Sequence, residues 1–205
     1  MVTPWLSAAG LSVRRGPKTL LGPVTFDLSS PGIAIIMGPN GAGKTTTMKI
    51  ILGLLRASGG KITVCGETVV YGSSRTNRFI GYLPDVPEFY GFMRPTEYLK
   101  LCGEISALSP PVIKKRSAEL LALVGLEGVK RKIGGFSRGM KQRLGIAQAL
   151  LGEPALLICD EPTSALDPVG RKEILDILSV AKGRTSIVFS THILSDVERI
   201  CDEIG

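Results

Sequence analysis

The sequence predicts an α/β protein: a mainly parallel sheet covered by helices, an antiparallel β part at the N-terminus and an all-helical insert in the middle. Three observations carry this expectation. Four short apolar runs, "GIAIIM" (32–37), "FIGYL" (79–83), "ALLICD" (155–160) and "TSIVFS" (185–190), are continuous rather than alternating, as strands buried on both faces are. Helical patterns lie between them. From about 85 to 151 the strand signals vanish and amphipathic helical patterns replace them.

Taken in order, "LSVRRG" and "VTFDLS" alternate around turn residues and read as an antiparallel strand pair. The strand at 32–37 follows, then a helix expected from Thr46 to Leu55 and the strand at 79–83. The insert holds three helices: "PTEYLKLCGEISAL" is amphipathic, and "SPPVIKKRSAELLALVG" opens on serine-proline and closes on glycine. "SRGMKQRLGIAQALL" sets Met140, Leu144, Ala147 and Leu151 on one face. After the strand at 155–160, a helix from Pro168 to Ala181 has Asp167 as its cap and proline at its first position. The strand at 185–190 leads to a last helix from Ser195 to Cys201. One domain over 1–205 is expected, with 1–84 and 152–205 forming the core and its antiparallel part, and about 85–151 forming the helical part.

Composition narrows the classes. The 205 residues can bury a full core, and 44% hydrophobic residues argue against disorder. A net charge of +7 favours anionic partners, nucleotides among them, but the lysines and arginines are scattered and no specific nucleic-acid partner is expected. Runs such as "IAIIM" and "ALLIC" fall far short of the roughly 18 residues that span a bilayer, and "MVTPWLSAAG" lacks the pattern of a signal peptide. The expectation is a cytoplasmic protein. Cys65, Cys102, Cys159 and Cys201 are far apart and the chain has one histidine, so neither a disulfide framework nor a zinc cluster is expected; the cysteines read as reduced, buried fillers.

The strongest motif is Gly38-Pro39-Asn40-Gly41-Ala42-Gly43-Lys44-Thr45, which satisfies G-x-x-x-x-G-K-[ST] between a predicted strand and a predicted helix. Glycines let the backbone curl so that successive N–H groups converge on phosphate oxygens. Lys44 supplies a point charge, and the Thr45 hydroxyl can ligate Mg²⁺. The core is therefore expected to be that of a P-loop NTPase. In "ALLICDEP" the strand ends on Asp160, placed to serve Mg²⁺, and Glu161 follows as a candidate general base for an attacking water. His192, at the C-terminal end of another strand, is placed to touch the γ-phosphate or to orient the water. In "FSRGMKQRLG" a serine precedes a helix start whose exposed N–H groups attract an anion, a second phosphate site in a chain that already has one.

"GPNGAGKTT", "GYLPD", "FSRGMKQR", "LLICDEP", "SALD" and "STH" stand in the order and spacing of the ATP-binding subunit of ATP-binding cassette (ABC) transporters, which the chain resembles over nearly its whole length. The wording looks closest to subunits serving exporter-type permeases carried on separate chains. The resemblance implies ATP and Mg²⁺ as ligands, with Asn40, Gly41, Gly43, Lys44, Thr45 and Thr46 matching the phosphate loop, Asp160 the Mg²⁺-side aspartate, Glu161 the catalytic glutamate and His192 the switch histidine. Asp167 matches the loop aspartate facing a partner subunit, and Ser137, Arg138 and Gly139 the signature loop. It further implies a homodimer or pseudo-symmetric heterodimer that closes head to tail on ATP, and transmembrane permease subunits driven from the inner face of the cell membrane, where the protein is peripheral.

Three positions depart from the family pattern. Asp85 stands where a glutamine usually reaches Mg²⁺ and the attacking water; its carboxylate, shorter and charged, either contacts Mg²⁺ more tightly or positions the water less well. Arg15 stands where an aromatic often stacks on adenine, and either its guanidinium stacks in turn or it is an exposed charge. Arg138 occupies a frequent glycine position of the signature, either near the partner's phosphates or facing solvent. The chain ends at "CDEIG", where the family usually continues with a strand and a helix. Two other classes fit less well. An ABC-type ATPase acting on a ribosome, nucleic acid or assembly complex would suit the charge, while a nucleotide kinase or GTPase leaves "SRGMKQR" without a purpose.

Overall fold

A computed structural model describes residues 4–29 and 32–201; the terminal "CDEIG" lies almost wholly outside the described residues. Strands β1 (Leu6–Arg15) and β2 (Lys18–Leu28) pair antiparallel through a two-residue turn, where Gly16 takes a left-handed φ of 59° that suits a hairpin. β4 (Gly59–Val64) and β5 (Glu67–Thr68) complete this sheet in the order β2-β1-β4-β5. Sequence patterning missed both strands. Gly59 and Gly60 break the alternation before Ile62 and Val64, and Gly60 is required because a Cβ there would lie 2.4 Å from the Gly10 backbone.

The second sheet is parallel throughout, in the order β3-β8-β7-β6: β3 (Ile33–Met37), β6 (Ile80–Leu83), β7 (Leu156–Cys159) and β8 (Ser186–Thr191). These are the four expected strands. β7 and β8 are buried on both faces, whereas β3 is half-buried and its last residue, Met37, is exposed. Alternate residues of the central strands feed two cores. Leu157, Cys159, Ile187 and Phe189 pack with the helices of the middle segment, while Leu156, Ile158 and Val188 pack with the antiparallel sheet and α1 (Lys44–Ile51).

α1 begins two residues before the expected start and ends four before the expected end. Gly43, at φ 94°, turns the phosphate loop directly into the helix, and Gly53, at φ 70°, turns the chain out of it. Between 84 and 155 the described residues hold no strand, only α2 (Pro95–Ile105), α3 (Pro110–Leu123) and α4 (Arg138–Leu150) with short turns. α4 presses on β6 through two glycines. A Cβ on Gly81 would lie 2.2 Å from the Ala149 carbonyl oxygen, and one on Gly145 would lie 2.4 Å from a Leu83 methyl. α5 (Pro168–Ala181) has the predicted bounds, with Asp167 accepting the Gly170 N–H at 2.7 Å, and α6 spans Leu194–Cys201. Of the cysteines expected to be buried, Cys159 is; Cys65 and Cys102 are only partly covered.

Candidate functional site

The C-terminal ends of the parallel strands open onto a cleft of about 360 Å³ lined by Leu20, Asn40, Gly41, Gly43, Lys44, Thr45, Thr46, Asp85, Asp160 and Glu161. Ligands of open parallel sheets gather at this edge because helix N-termini and loop amides converge there. Gly41 (φ 85°) and Gly43 (φ 94°) supply the left-handed turns that curl the loop between β3 and α1. Lys44 is buried within the curl, and its Nζ donates to the carbonyls of Gly38 at 2.7 Å and Pro39 at 3.2 Å.

Glu161 sits at the centre. Its backbone takes φ 47°, a conformation rarely adopted by a side-chain-bearing residue, and its N–H donates to Ser190 Oγ at 2.9 Å. Lys44 Nζ lies 3.0 Å from Oε1, close enough for an ion pair but off the hydrogen-bond axis, so this buried oxygen has no hydrogen-bond donor. His192 Nδ1 lies 2.8 Å from Oε2. A carboxylate accepts, so the pairing places the imidazole proton on Nδ1. Asp160, 3% exposed, takes the Ser190 hydroxyl on Oδ1 at 2.8 Å. Ser190 thus braces both acids, a role that nothing local in "SIVFST" announced.

Oxygen donors for a hard cation are present. Thr45 is exposed to the cleft with its hydroxyl in no hydrogen bond, and Asp160 has one oxygen not taken by Ser190. Oxygen donors beside a phosphate loop suit Mg²⁺, which takes few protein ligands and completes its shell with phosphate oxygens and water. Among the described residues no cluster of three or more His, Cys, Asp or Glu competes as a metal site.

A second groove, of about 500 Å³, adjoins the first and is lined by Asp85, Val86, Pro87, Glu88, Phe89, Arg138 and Lys141. Asp85 belongs to both. Its Oδ1 lies 3.3 Å from Arg138 Nη2, and its backbone carbonyl accepts from Gln142 Nε2 at 2.8 Å, so α4 grips residue 85 through two side chains one turn apart. The two departures expected to act separately, one on Mg²⁺ and one on a partner's phosphate, therefore meet within one chain. Burial raises the Asp85 carboxyl above the usual range; Arg138 opposes this, and Asp160 and Glu161 add to it. Burial, then the Asp160 charge, likewise pushes the Cys159 thiol far up, which keeps it protonated.

The family model described as ABC transporter matches residues 21–164. The chain belongs to the ABC transporter family. It is 46% identical over 182 residues to the uncharacterized ABC transporter ATP-binding protein YxlF of Bacillus subtilis (strain 168), a match covering 88% of this chain and 60% of that protein. It is 44% identical over 205 residues to the bacitracin transport ATP-binding protein BcrA of Bacillus licheniformis, covering 98% of this chain and 65% of that protein. A solved structure described as the ATP binding subunit of an ABC transporter superposes with a TM-score of 0.84 at 34% identity, covering 97% of this chain and 83% of that one. The chain thus spans about three fifths of the length of these curated relatives.

Within this ABC fold the structure brings Lys44, Thr45, Thr46, Asn40, Asp85, Asp160 and Glu161 to one cleft, with His192 reaching it through Glu161. Other expected residues lie elsewhere. Arg15 ends β1 beside the hairpin turn and is exposed, and Leu20, not Arg15, lines the cleft. Sequence spacing could not show this, because a bulged register decides which β2 residue faces the loop. Ser137, Arg138 and Gly139 do not line the phosphate cleft. The Ser137 hydroxyl accepts the Met140 N–H at 3.3 Å, and Gly139 faces Leu166. The Asp167 carboxylate is occupied in capping α5.

Proposed function

We propose that this chain is the ATP-binding and ATP-hydrolysing subunit of a membrane ABC transporter, dimerising on ATP with a second ATPase subunit and driving transmembrane permease subunits from the cytoplasmic face. The observation that carries the reading is Glu161, held between Lys44 at 3.0 Å and His192 at 2.8 Å at the mouth of the phosphate loop. A carboxylate there accepts a proton from water attacking the γ-phosphate, and the Nδ1–H contact orients it. Lys44, already steered by two loop carbonyls, passes its charge from Glu161 to the phosphate oxygens when ATP enters, and this frees Glu161 to face the water. Thr45 and Asp160 would hold Mg²⁺, which supplies charge neutralisation on the phosphates. Asp85 reaches the same cleft, but its carboxylate is engaged by Arg138, and we assign it to holding α4 in register with the cleft.

No helix among the described residues is long and apolar enough to cross a membrane; in this reading permease subunits supply the membrane-spanning part. The names of relatives concerned with bacitracin transport, linearmycin resistance and Nod factor export support export as the direction of the work. Ser137, Arg138 and Gly139 start a helix whose free N–H groups suit the phosphate of the opposing subunit. Glu161→Gln tests the core of the reading. It is expected to cut ATP turnover by at least about 10²-fold while ATP binding stays intact; turnover close to that of the unaltered chain would end the general-base assignment.

A further inference from the structure

Asp196, on α6, is 2% exposed and has no place in the chemistry above. Its Oδ2 accepts from the Thr163 hydroxyl at 2.6 Å and the Thr191 hydroxyl at 3.4 Å, and its Oδ1 accepts from Arg171 at 3.0 Å. Thr163 and Thr191 are both fully buried. Thr163 stands two residues after Glu161, and Thr191 stands immediately before His192. The Thr191 hydroxyl also accepts the Ile193 N–H at 3.0 Å, closing the turn that bears His192.

The ladder between β7 and β8 ends at the pair Cys159 and Phe189. Beyond it, residues 160–163 and 190–193 run on with no backbone bond between them to fix their separation, yet the Glu161–His192 contact depends on that separation. Ser190 makes one tie, to Asp160 and to the Glu161 N–H. Asp196 makes the other, and it reaches both segments with one oxygen atom while Arg171 of α5 balances its charge. A buried carboxylate is costly unless fully paired. Three donors make this one rigid.

We propose that Asp196 is a positioning residue for ATP hydrolysis: its carboxylate ties the segment carrying Glu161 to the segment carrying His192 and so sets the contact between them. The proposal rests on the catalytic reading of Glu161. Misplacing a reacting group by about 1 Å costs about 10²-fold in rate, so loosening this tie lowers kcat and leaves ATP binding, made by the phosphate loop, in place.

The chain's single histidine makes the test direct, because the imidazole ¹⁵N resonances belong to His192 alone. Asp196→Asn and Thr163→Val are compared with the unaltered chain and with Thr163→Ser, which keeps the hydroxyl. The expected result for Asp196→Asn and Thr163→Val is a shift of the ring-nitrogen resonances away from the Nδ1–H pattern. It is accompanied by a fall in kcat of about tenfold or more with KM for ATP within about threefold; Thr163→Ser keeps both readouts close to those of the unaltered chain. Should Asp196→Asn not fold, the Thr163 pair decides alone. Folded variants with unmoved resonances, or a raised KM with kcat retained, overturn the proposal. Moved resonances with kcat retained overturn it too, provided Glu161→Gln is inactive. If Glu161→Gln itself turns over normally while the resonances move, the catalytic reading falls and the tie remains.

Discussion

The ion pair between Asp85 and Arg138 can be weighed by a double-mutant cycle of Asp85→Ala, Arg138→Ala and the combination. The groups are 3.3 Å apart, with side-chain exposures of 46% and 43%, so solvent screens them and a coupling of about 0.5–1 kcal/mol is expected. Arg138 is also the first residue of α4, where a positive charge opposes the helix dipole at a cost of about 0.3–1 kcal/mol. The two effects offset each other in Arg138→Ala, which should be close to neutral in stability. Asp85→Ala leaves the arginine uncompensated but also removes a carboxylate whose charged form is disfavoured by burial, Asp160 and Glu161, so these two terms oppose each other in that variant. The Gln142 bond to the backbone of residue 85 survives in every variant, which isolates the charge term. Urea unfolding with matched m-values measures the cycle, at 0.1 M and 1 M salt, where the screening length falls from about 10 to about 3 Å. A coupling below about 0.2 kcal/mol at low salt, or one unchanged by salt, would refute the claim that these charges hold each other.

The same carboxyl has a pH signature. Its folded-state value is raised, mainly by burial, so the native state binds more protons than the unfolded chain as pH climbs from the ordinary carboxyl range through the raised value, and stability falls across that window. Asp85→Asn should flatten this decline in chemical denaturation as pH rises from the ordinary carboxyl range; an unchanged slope would count against it. Gly81→Ala should destabilise by about 3 kcal/mol or more, because its Cβ meets a main-chain carbonyl at 2.2 Å, with a fall in Tm of roughly 6–12 °C by calorimetry. Ser137→Arg should leave ATP binding by the monomer nearly intact and abolish ATP-dependent dimerisation and turnover, measured by light scattering and phosphate release; a dimer that persists with full turnover refutes the role in trans.

What the sequence made legible was local. Continuous apolar runs marked the four parallel strands because both faces of that sheet are covered, and Asp167-Pro168 marked the start of α5 because a cap acts within one turn. The phosphate loop was legible because its glycines are dictated by backbone geometry. The contacts that complete the site are not local: Asp85 meets Arg138 across 53 positions, Ser190 meets Asp160 across 30, and Thr163 meets Asp196 across 33. No residue-level pattern encodes such pairs, since they follow from the way the strands and helices pack. β4 escaped for a related reason: Gly59 and Gly60, which weaken its strand pattern, are needed for close approach to β1, while β5 is only two residues long.

The glycine seam between α4 and β6 has a mechanical consequence. With Gly81 against the Ala149 carbonyl and Gly145 against Leu83, the helix rests on the strand with almost nothing compressible between them. At Gly81 the closest contact is main chain against main chain, and at Gly145 only the Leu83 side chain and Pro87 stand between helix and strand. A shift of the segment from Gly81 to Asp85 therefore meets α4 at two places, its last turns through the seam and its first turns through the ties of Asp85 to Arg138 and Gln142, so strand and helix are held to move together.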